Sequence, residues 1–449
     1  MKAIILAAGQ GKRMQSDLQK VMHPILGKPI VQYVAEAAQG AGFSDITVVV
    51  DKSGEIEKGL SRCEGLFFAV QEVPQGTGDA VRVAASRIGP TDNVLVLCGD
   101  MPLITSELIN ELLENSRETA AECLVTAVHW PQLGDFGRVY DNEGEFIEIV
   151  EARDITPSHG KTEWANTGVF LFKGTALIDG LAKMTNDNAQ GEYYLTDVPK
   201  IIRAAGGRVR VFHSHAPLSV FTGINTQAHL AEAAAHMQKR INLRHMAAGV
   251  RMLAPDTTYI DDTVKIGRGA VLYPGCIFEG ACEISENAVI GPYSHLADTT
   301  VGAGAKVRQS VATEAKIGAG TEVGPFAYLR PNAVIGDHCR IGNFVEIKNA
   351  TLGDDTKVAH LSYIGDADVG KNVNYSCGAI TANYDGEKKH RTKIGDNAFI
   401  GSNVNLIAPI EIGEDGFVAA GSTLTDDLPP CALGIARGRQ CVKLDWAKK

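Results

Sequence analysis

Two hydrophobic periods divide this 449-residue chain. Up to about residue 225, short aliphatic and β-branched runs alternate with stretches in which apolar positions recur at helical spacing. Ala3–Leu6, Ile46–Val50, Leu66–Val70 and Val94–Leu97 read as buried strands with helices between them. That alternation predicts an α/β domain, a mostly parallel sheet covered on both faces. From Thr226 to Ala248 the pattern is helical, with Leu230, Met237 and Ile241 on one stripe, and predicts a connecting helix.

Beyond Leu253 the period becomes six. Ile260, Ile266, Leu272, Phe278, Ile284, Ile290 and Leu296 are evenly spaced, and Val301 and Val307 resume after a slip of one. Ile317, Val323, Leu329, Ile335, Ile341 and Ile347 continue the series, then Val358 and Ile364, and Ile394 to Leu424 close it. Such a period fits neither a helix nor an open sheet. It fits a three-sided parallel β-helix, one hexad per side, with the aliphatic residue filling the axis. Gly follows the aliphatic residue at Ile266, Ile335, Ile341, Ile364, Ile394 and Ile400, which suits a backbone that turns with positive φ or passes close to a neighbour. Residues 254–429 supply about ten coils stacked at ~4.8 Å.

Composition narrows the class. Hydrophobic residues make up 45% and charged residues 21%, ordinary for a globular protein. A net charge of −10 argues against nucleic acid or an anionic membrane as partner. No run approaches the ~20 apolar residues of a membrane span, and Ile4–Ala8 is too short for a signal peptide. The nine cysteines contain no CxxC pair, so neither a disulfide framework nor a zinc site is expected, and the cytoplasm is the expected compartment. Cys276, Cys282 and Cys339 take inward-facing hexad places and are expected to pack as small apolar residues.

The strand Ala3–Leu6 runs into Ala7-Ala8-Gly9-Gln10-Gly11-Lys12-Arg13-Met14, with Lys20 soon after. Glycines let backbone N–H groups approach phosphate oxygens, and the basic residues supply charge. A Walker loop is absent, and a dinucleotide fingerprint fails because Met14 takes the third glycine's place and Asp51 comes too late. LxxGxGxxM followed by lysine fits a sugar-nucleotidyltransferase loop, although a plain βα turn satisfies most lone GxG matches. Gln71 and Gly76-Thr77-Gly78-Asp79-Ala80 form a second small-residue loop. Asp100 ends the strand Val94–Leu97 at the sheet's carboxyl edge, where it could cap a helix or bind Mg²⁺.

Taken with Phe136-Gly137-Arg138, Ile149-Val150-Glu151, Asn166-Thr167-Gly168, Asn188–Asp197 and Gly223-Ile224-Asn225, these segments resemble one family over essentially the whole chain. It is the bifunctional N-acetylglucosamine-1-phosphate uridyltransferase / glucosamine-1-phosphate N-acetyltransferase. The resemblance implies a Rossmann-like nucleotidyltransferase domain at 1–225, a linker helix at 226–250 and a left-handed β-helix acetyltransferase domain with a C-terminal tail at 251–449. It implies that Leu6, Ala7, Ala8, Gly9, Lys20, Gln71, Gly76, Thr77 and Gly99 hold the uridine nucleotide. Gly137, Glu151 and Asn166 would hold the acetylated sugar, and Asp100 with Asn225 the Mg²⁺. The sugar phosphate is already an anionic nucleophile, so the uridylyl transfer needs positioning and charge neutralisation rather than a base. Lys12, Gln19 and Cys98 depart from the family's usual Thr, Pro and Tyr.

The six-period lapses between Tyr375 and Ile394, and Thr381–Arg391 is expected to project as a polar loop. It holds Asn383-Tyr384, then Lys388, Lys389 and Arg391, which suit a phosphate, although most such insertions are tolerated surface loops. His360 stands at a hexad corner, where an isolated histidine is usually just solvated. Leu329-Arg330-Pro331, Gly342-Asn343-Phe344-Val345-Glu346, His360-Leu361, Gly365-Asp366-Ala367 and Asn383-Tyr384-Asp385-Gly386 match the acetyltransferase half of the same family. By that resemblance His360 is the general base for the amine, oriented by Glu346 or Asn383. Arg330, Lys348, Tyr363 and Asn374 would bind glucosamine-1-phosphate. Cys377 (where the family usually has Ala), Asn383, Tyr384, Ser402, Ala420 and Arg437 would bind acetyl-CoA. The resemblance further implies a homotrimer with acetyl-transfer sites between subunits, fed by UTP, acetyl-CoA and the two sugar phosphates. Its product, UDP-N-acetylglucosamine, serves peptidoglycan and lipopolysaccharide synthesis. A single-activity nucleotidyltransferase with a structural or regulatory β-helix is the alternative.

Overall fold

A computed structural model describes residues 1–9, 11–61 and 63–447, which form two compact units, Met1–Met237 and Gln238–Lys449. In the first, the described residues form a nine-stranded sheet. Lys2–Leu6 is the third strand from one edge, parallel to Asp45–Val50 on one side and Asn93–Cys98 on the other. Leu66–Val70 extends the parallel half. The other half is mixed, because Trp164–Lys173 runs antiparallel between Asn93–Cys98 and Cys123–His129. Ala3 and Ile5 bury on one face and Ile4 on the other, so this doubly covered strand reads as one apolar run. The chain leaves Lys2–Leu6 toward one edge and returns on its other side, which opens a crevice beyond the carboxyl ends of Lys2–Leu6 and Asn93–Cys98. The loops carrying Ala7–Gly9 and Gly99–Asp100 border it.

In the second unit the hexads wind a left-handed β-helix whose strands are all parallel. One face is a ladder of eleven short strands among the described residues, and the other two faces share a ladder of seventeen. Leu272, Ile290, Val307, Val323, Ile341 and Val358 stack in register along the axis, all buried. Cys276, Cys282 and Cys339 are buried among them as free thiols, donating to Ile290, Leu296 and Gly353 carbonyls. Burial pushes the thiols of Cys282 and Cys339 up to about 11, so they remain neutral packing groups.

Gly267, Gly336, Gly342, Gly365, Gly395 and Gly401 are needed for space and not for left-handed backbone, whereas Gly291 and Gly324, which also follow axial residues, do have positive φ. A Cβ on Gly267 would lie 2.6 Å from the Glu286 nitrogen, and one on Gly395 or Gly401 2.5 Å from the nitrogen of the coil above. The positive φ falls three places past the aliphatic residue, at Asn287, His338, Asp355, Asn372, Asn397 and Asp415. Asn and Asp tolerate that conformation better than most residues with a Cβ.

The lapse in the six-period also has a structural cause. Tyr375 occupies an axial place between Val358 and Ile400, and Thr381 another beneath Leu406. Thr381 satisfies its hydroxyl by donating to the Gly365 carbonyl and accepting from the Gly365 amide. The coil thus continues through Ala382, and only Asn383–Arg391 departs from it. The Tyr375 ring is fully buried and its hydroxyl has no hydrogen-bond partner among the described residues. Tyr375→Phe is therefore expected to stabilise the protein by about 1 kcal/mol or more, since a buried unsatisfied polar group costs roughly 1–3 kcal/mol. Urea unfolding followed on the second unit checks this. A loss of stability would mean that the hydroxyl has a partner.

The connecting helix spans Gln227–Ala247. Its stripe is less apolar than expected, because Gln238, Asn242 and His245 are buried beside Met237 and Ile241, while Leu230 is only half-buried. The Asn242 amide donates to the Pro255 and Thr258 carbonyls, and Gln238 to those of Pro255 and Asp256. Polar side chains at these helix positions give partners to the Asp256 and Thr258 carbonyls of the first coil, and a second donor to that of Pro255, which also accepts from the Thr258 amide.

Candidate active sites

The crevice of the first unit holds a cavity of about 260 Å³ whose walls include Leu6–Gly9, Lys20, Gln71, Gly76, Thr77, Cys98 and Asp100. Each wall has a local reason. Gly76 adopts φ 108°, and a Cβ there would meet the Tyr193 carbonyl oxygen at 2.5 Å. Gly11 adopts φ 58° and makes room for the Lys20 side chain, whose Cβ would lie 2.5 Å from a Cβ on Gly11. Gly99 donates its amide to the Leu6 carbonyl, locking the two loops together. The buried Gln71 donates its side-chain amide to Asp79 at 2.7 Å, which leaves its carbonyl oxygen as the acceptor. Gln19 donates to Asp51 at 2.5 Å and so anchors the segment carrying Lys20.

Lys20, Asp100 and Asn225 meet at one point. The ammonium lies 2.5 Å from an Asp100 carboxylate oxygen and 3.3 Å from the Asn225 side-chain oxygen. Gly223 lets its backbone press against the same carboxylate, since a Cβ there would come within 2.8 Å of it. Two hard oxygen donors thus converge on a position already held by a positive charge, beside a cavity open to phosphates. That donor set fits Mg²⁺, which takes one or two protein oxygens and leaves its other positions to water and phosphate. No cluster of three or more His, Cys, Asp or Glu side chains competes for a metal among the described residues.

Gly137, Glu151 and Asn166 are mutual neighbours, because a Cβ on Gly137 would lie 3.3 Å from the Glu151 carboxylate and 3.4 Å from the Asn166 Cβ. Asn166 enters through a break in strand register between Asn166 and Phe170. Burial raises the Glu151 carboxyl, the Thr196 hydroxyl at 2.9 Å opposes that, and Asp154 and Asp197 raise it further. Cys98 lies against Gly168, its thiol pushed up to about 12 by burial and by Asp100, so it is a neutral wall.

In the second unit two corners of the β-helix carry the polar residues. His360 pairs in register with Asn343 one coil below, and its Nδ1 donates to the Asn343 side-chain oxygen at 2.8 Å. That bond places the proton on Nδ1 and leaves Nε2 with its lone pair facing out. Above His360 the same corner continues through Cys377, Ser402 and Ala420: Gly378 donates to the His360 and Leu361 carbonyls, Asn403 to Cys377, and Gly421 to Ser402. Arg437 Nη1 donates to the Ala420 carbonyl at 2.8 Å. His360, Cys377, Ser402, Ala420 and Arg437 therefore climb one edge of the prism, about 4.8 Å per rung.

Around the neighbouring face, Glu346 and Tyr363 stack in register and Arg330 Nη1 donates to Glu346 at 2.8 Å. At its far corner Asp366 accepts from Asn349 and from Asn383, each at 2.5 Å, with Lys348 Nζ 3.8 Å away. The loop beyond Asn383 folds tightly on Asp385, which accepts from the Glu387 and Lys388 amides and meets His390 at 2.6 Å. These donors hold the Asp385 carboxyl well below its usual range. The loop is tied back to its own coil by Arg391, which donates to Asp368 at 2.6 Å, and it brings Lys389 beside Lys348.

The MobA-like NTP transferase domain model matches residues 3–194, and the bacterial transferase hexapeptide (six repeats) model matches 314–349 and 391–426. Similarity extends over the full length to proteins named Bifunctional protein GlmU. The one from Shouchella clausii is 44% identical, the match covering all of this chain and 98% of the relative. Those from Clostridium botulinum (strain ATCC 19397 / Type A) and Halalkalibacterium halodurans are each 42% identical with the same coverage. The chain belongs to the GlmU family. Membership over the full length makes it a two-activity enzyme of peptidoglycan synthesis, both a uridyltransferase and an acetyltransferase. The single-activity alternative is not favoured.

Within this GlmU chain the expected residues gather unevenly. In the first unit most of the expected nucleotide residues line one cavity with Asp100, Asn225 meets Asp100 through Lys20, and Gly137, Glu151 and Asn166 form a group of their own. Of the six expected acetyl-CoA residues, Cys377, Ser402, Ala420 and Arg437 line the His360 corner, while Asn383 and the exposed Tyr384 lie at the corner beyond Tyr363. Asn374 sits on the His360 face, donating to Ser376, and not with Arg330, Lys348 and Tyr363. Neither Glu346 nor Asn383 orients His360, because Glu346 is taken by Arg330 and Asn383 by Asp366. Asn343 does so, and its spacing of seventeen residues, one coil, is the sequence signal that points to it.

Proposed function

We propose that the first unit transfers UMP from UTP to N-acetylglucosamine-1-phosphate and the second acetylates glucosamine-1-phosphate with acetyl-CoA. The convergence of Lys20, Asp100 and Asn225 beside the cavity carries the first assignment. Leu6, Ala7, Ala8, Gly9, Gln71, Gly76, Thr77 and Gly99 hold the nucleotide, and Gly137, Glu151 and Asn166 the sugar. Asp100 and Asn225 hold Mg²⁺, which when bound neutralises charge on the transferring phosphate. The sugar-phosphate oxygen attacks the α-phosphorus, a P–O bond forms, the α–β bridge breaks and pyrophosphate leaves. Lys20 and Arg13 offset the developing charge, and no side chain needs to take a proton.

In the second unit His360 Nε2 takes a proton from the substrate's ammonium group, and the freed amine attacks the thioester carbonyl. A C–N bond forms, the C–S bond breaks, and coenzyme A leaves as the thiol, taking up the proton that the new amide nitrogen sheds. Arg330, Lys348 and Tyr363 hold the phosphate and sugar, with Asn374 at the next face, and the His360 corner takes acetyl-CoA. A homotrimer is the proposed assembly, because the acetyl-CoA residues split between two corners and the ridge Tyr293, Phe326, Phe344 and Leu361 beside His360 is more than half exposed. We place the domains at 1–225, 226–250 and 251–449 and the enzyme in the cytoplasm. No helix of the described residues is long and apolar enough to cross a membrane.

A coupled assay tests this reading. Supplied with glucosamine-1-phosphate, acetyl-CoA, UTP and Mg²⁺, a protein of trimeric mass by light scattering should release coenzyme A first and pyrophosphate after it. Pyrophosphate without coenzyme A release would rule out the acetyl-transfer assignment, and a monomer the assembly.

A further inference from the structure

We propose that Asp366 is a positioning residue for acetyl transfer: its buried carboxylate fixes the orientation of the Asn383 amide and supplies the counter-charge that lets Lys348 and Lys389 share one anion site. The inference rests on the anion site proposed above. Asn349, Asp366 and Asn383 stand at one corner of three successive coils, seventeen residues apart, and form an amide–carboxylate–amide stack. Asn349 and Asp366 both have left-handed backbone, φ 46° and 49°.

Stacking alone does not call for a charge here. An asparagine at 366 would suit the left-handed backbone and could accept from one neighbour while donating to the other. A carboxylate only accepts, so both neighbours must turn their NH₂ groups toward it. For Asn383 that choice also points Nδ2 at the Tyr363 hydroxyl, 3.4 Å away, and leaves Oδ1 free as an acceptor on its other side. The negative charge has a second consequence. Lys348 Nζ lies 3.8 Å from Asp366 Oδ2, and the Asp366 side chain is only 10% exposed. Lys389 is crowded by the Lys348 ammonium, which lowers its pKa, while Asp366 acts in the opposite direction. Glu346 is already engaged by Arg330, so Asp366 is the carboxylate that balances the lysine pair.

The test is steady-state acetyl transfer by the full-length protein. Asp366→Asn should raise KM for glucosamine-1-phosphate roughly tenfold or more, the scale of a lost charged hydrogen bond, with kcat less affected. The increase should grow as pH rises above neutral, because an uncompensated lysine loses its proton earlier. Adding Asn383→Ala should cost less in the Asp366→Asn background than in the wild type, since coupled residues are not additive. Asn349→Ala breaks the same stack on the side away from Asn383 and should leave KM unchanged. If Asn349→Ala raises KM as much as Asp366→Asn, the effect is structural and the proposal is overturned. Should Asp366→Asn fail to fold, Asp366→Gly, which the left-handed backbone also accepts, carries the same expectation. Lys348→Ala separates the two levels. If it raises KM and Asp366→Asn does not, only the role of Asp366 is lost; if neither does, the anion-site reading falls and Asp366 with it.

Discussion

Asp100→Ala abolishes pyrophosphate release, by roughly 10³-fold or more, and leaves acetyl transfer at the wild-type rate. Asp100 supplies the only carboxylate of the Lys20–Asp100–Asn225 group, and its side chain is largely sheltered from water. Without it the Lys20 ammonium keeps only a neutral amide oxygen, and a divalent cation loses the one anionic protein donor proposed for it. Asp100→Asn preserves an oxygen and the shape, and should fall between the two in Mg²⁺ requirement. The residues proposed for acetyl transfer all belong to the other unit. Measuring coenzyme A and pyrophosphate separately on the same preparation decides the matter. A folded Asp100→Ala protein that has lost both activities is incompatible with two independent sites.

His360→Ala should cut acetyl transfer by at least roughly 10²-fold, the usual scale for a general base, while pyrophosphate release is untouched. An amino-sugar nitrogen carries its proton near neutral pH and cannot attack a thioester until it is removed. The 2.8 Å bond to Asn343 keeps the proton on Nδ1, so Nε2 is the basic nitrogen at the corner facing solvent. Asn343→Ala therefore lowers acetyl transfer as well, by a smaller factor, because the ring remains but its tautomer and direction are no longer held. Near-normal acetyl transfer in His360→Ala would return this histidine to a solvated corner with no part in the chemistry.

Periodicity along the chain was enough for the fold of both units, because it records which positions face away from water. The four strands expected in the first unit are present, and the six-residue spacing maps directly onto the axial stack from Leu272 to Val358. It misread Tyr375 and Thr381 as a break, because an aromatic ring and a hydroxyl can occupy the axis when the coil has room or a backbone partner for them. Glycine after the aliphatic residue was visible in the sequence, but the reason was not: the close approach of the next coil's backbone is a contact between residues far apart in the chain.

The sites divide the same way. Residue types and loop motifs mark Lys20 and Asp100 separately, the family resemblance pairs Asp100 with Asn225, and the tertiary structure adds that Lys20 meets both, across separations of 80 and 205 residues. The orienting partner of His360 is Asn343 and not Glu346 or Asn383, because hydrogen-bond pairing depends on which corner of the prism each side chain occupies. Asp366, within a recognised motif but without a role, acquires one only when the stack of Asn349, Asp366 and Asn383 is seen. Sequence alone thus determined the two architectures and the chemistry available to each, since burial period and residue type are local. The tertiary structure decided which charges meet, which proton a histidine keeps and which amide faces which way, since these depend on distances between parts of the chain that only folding brings within reach.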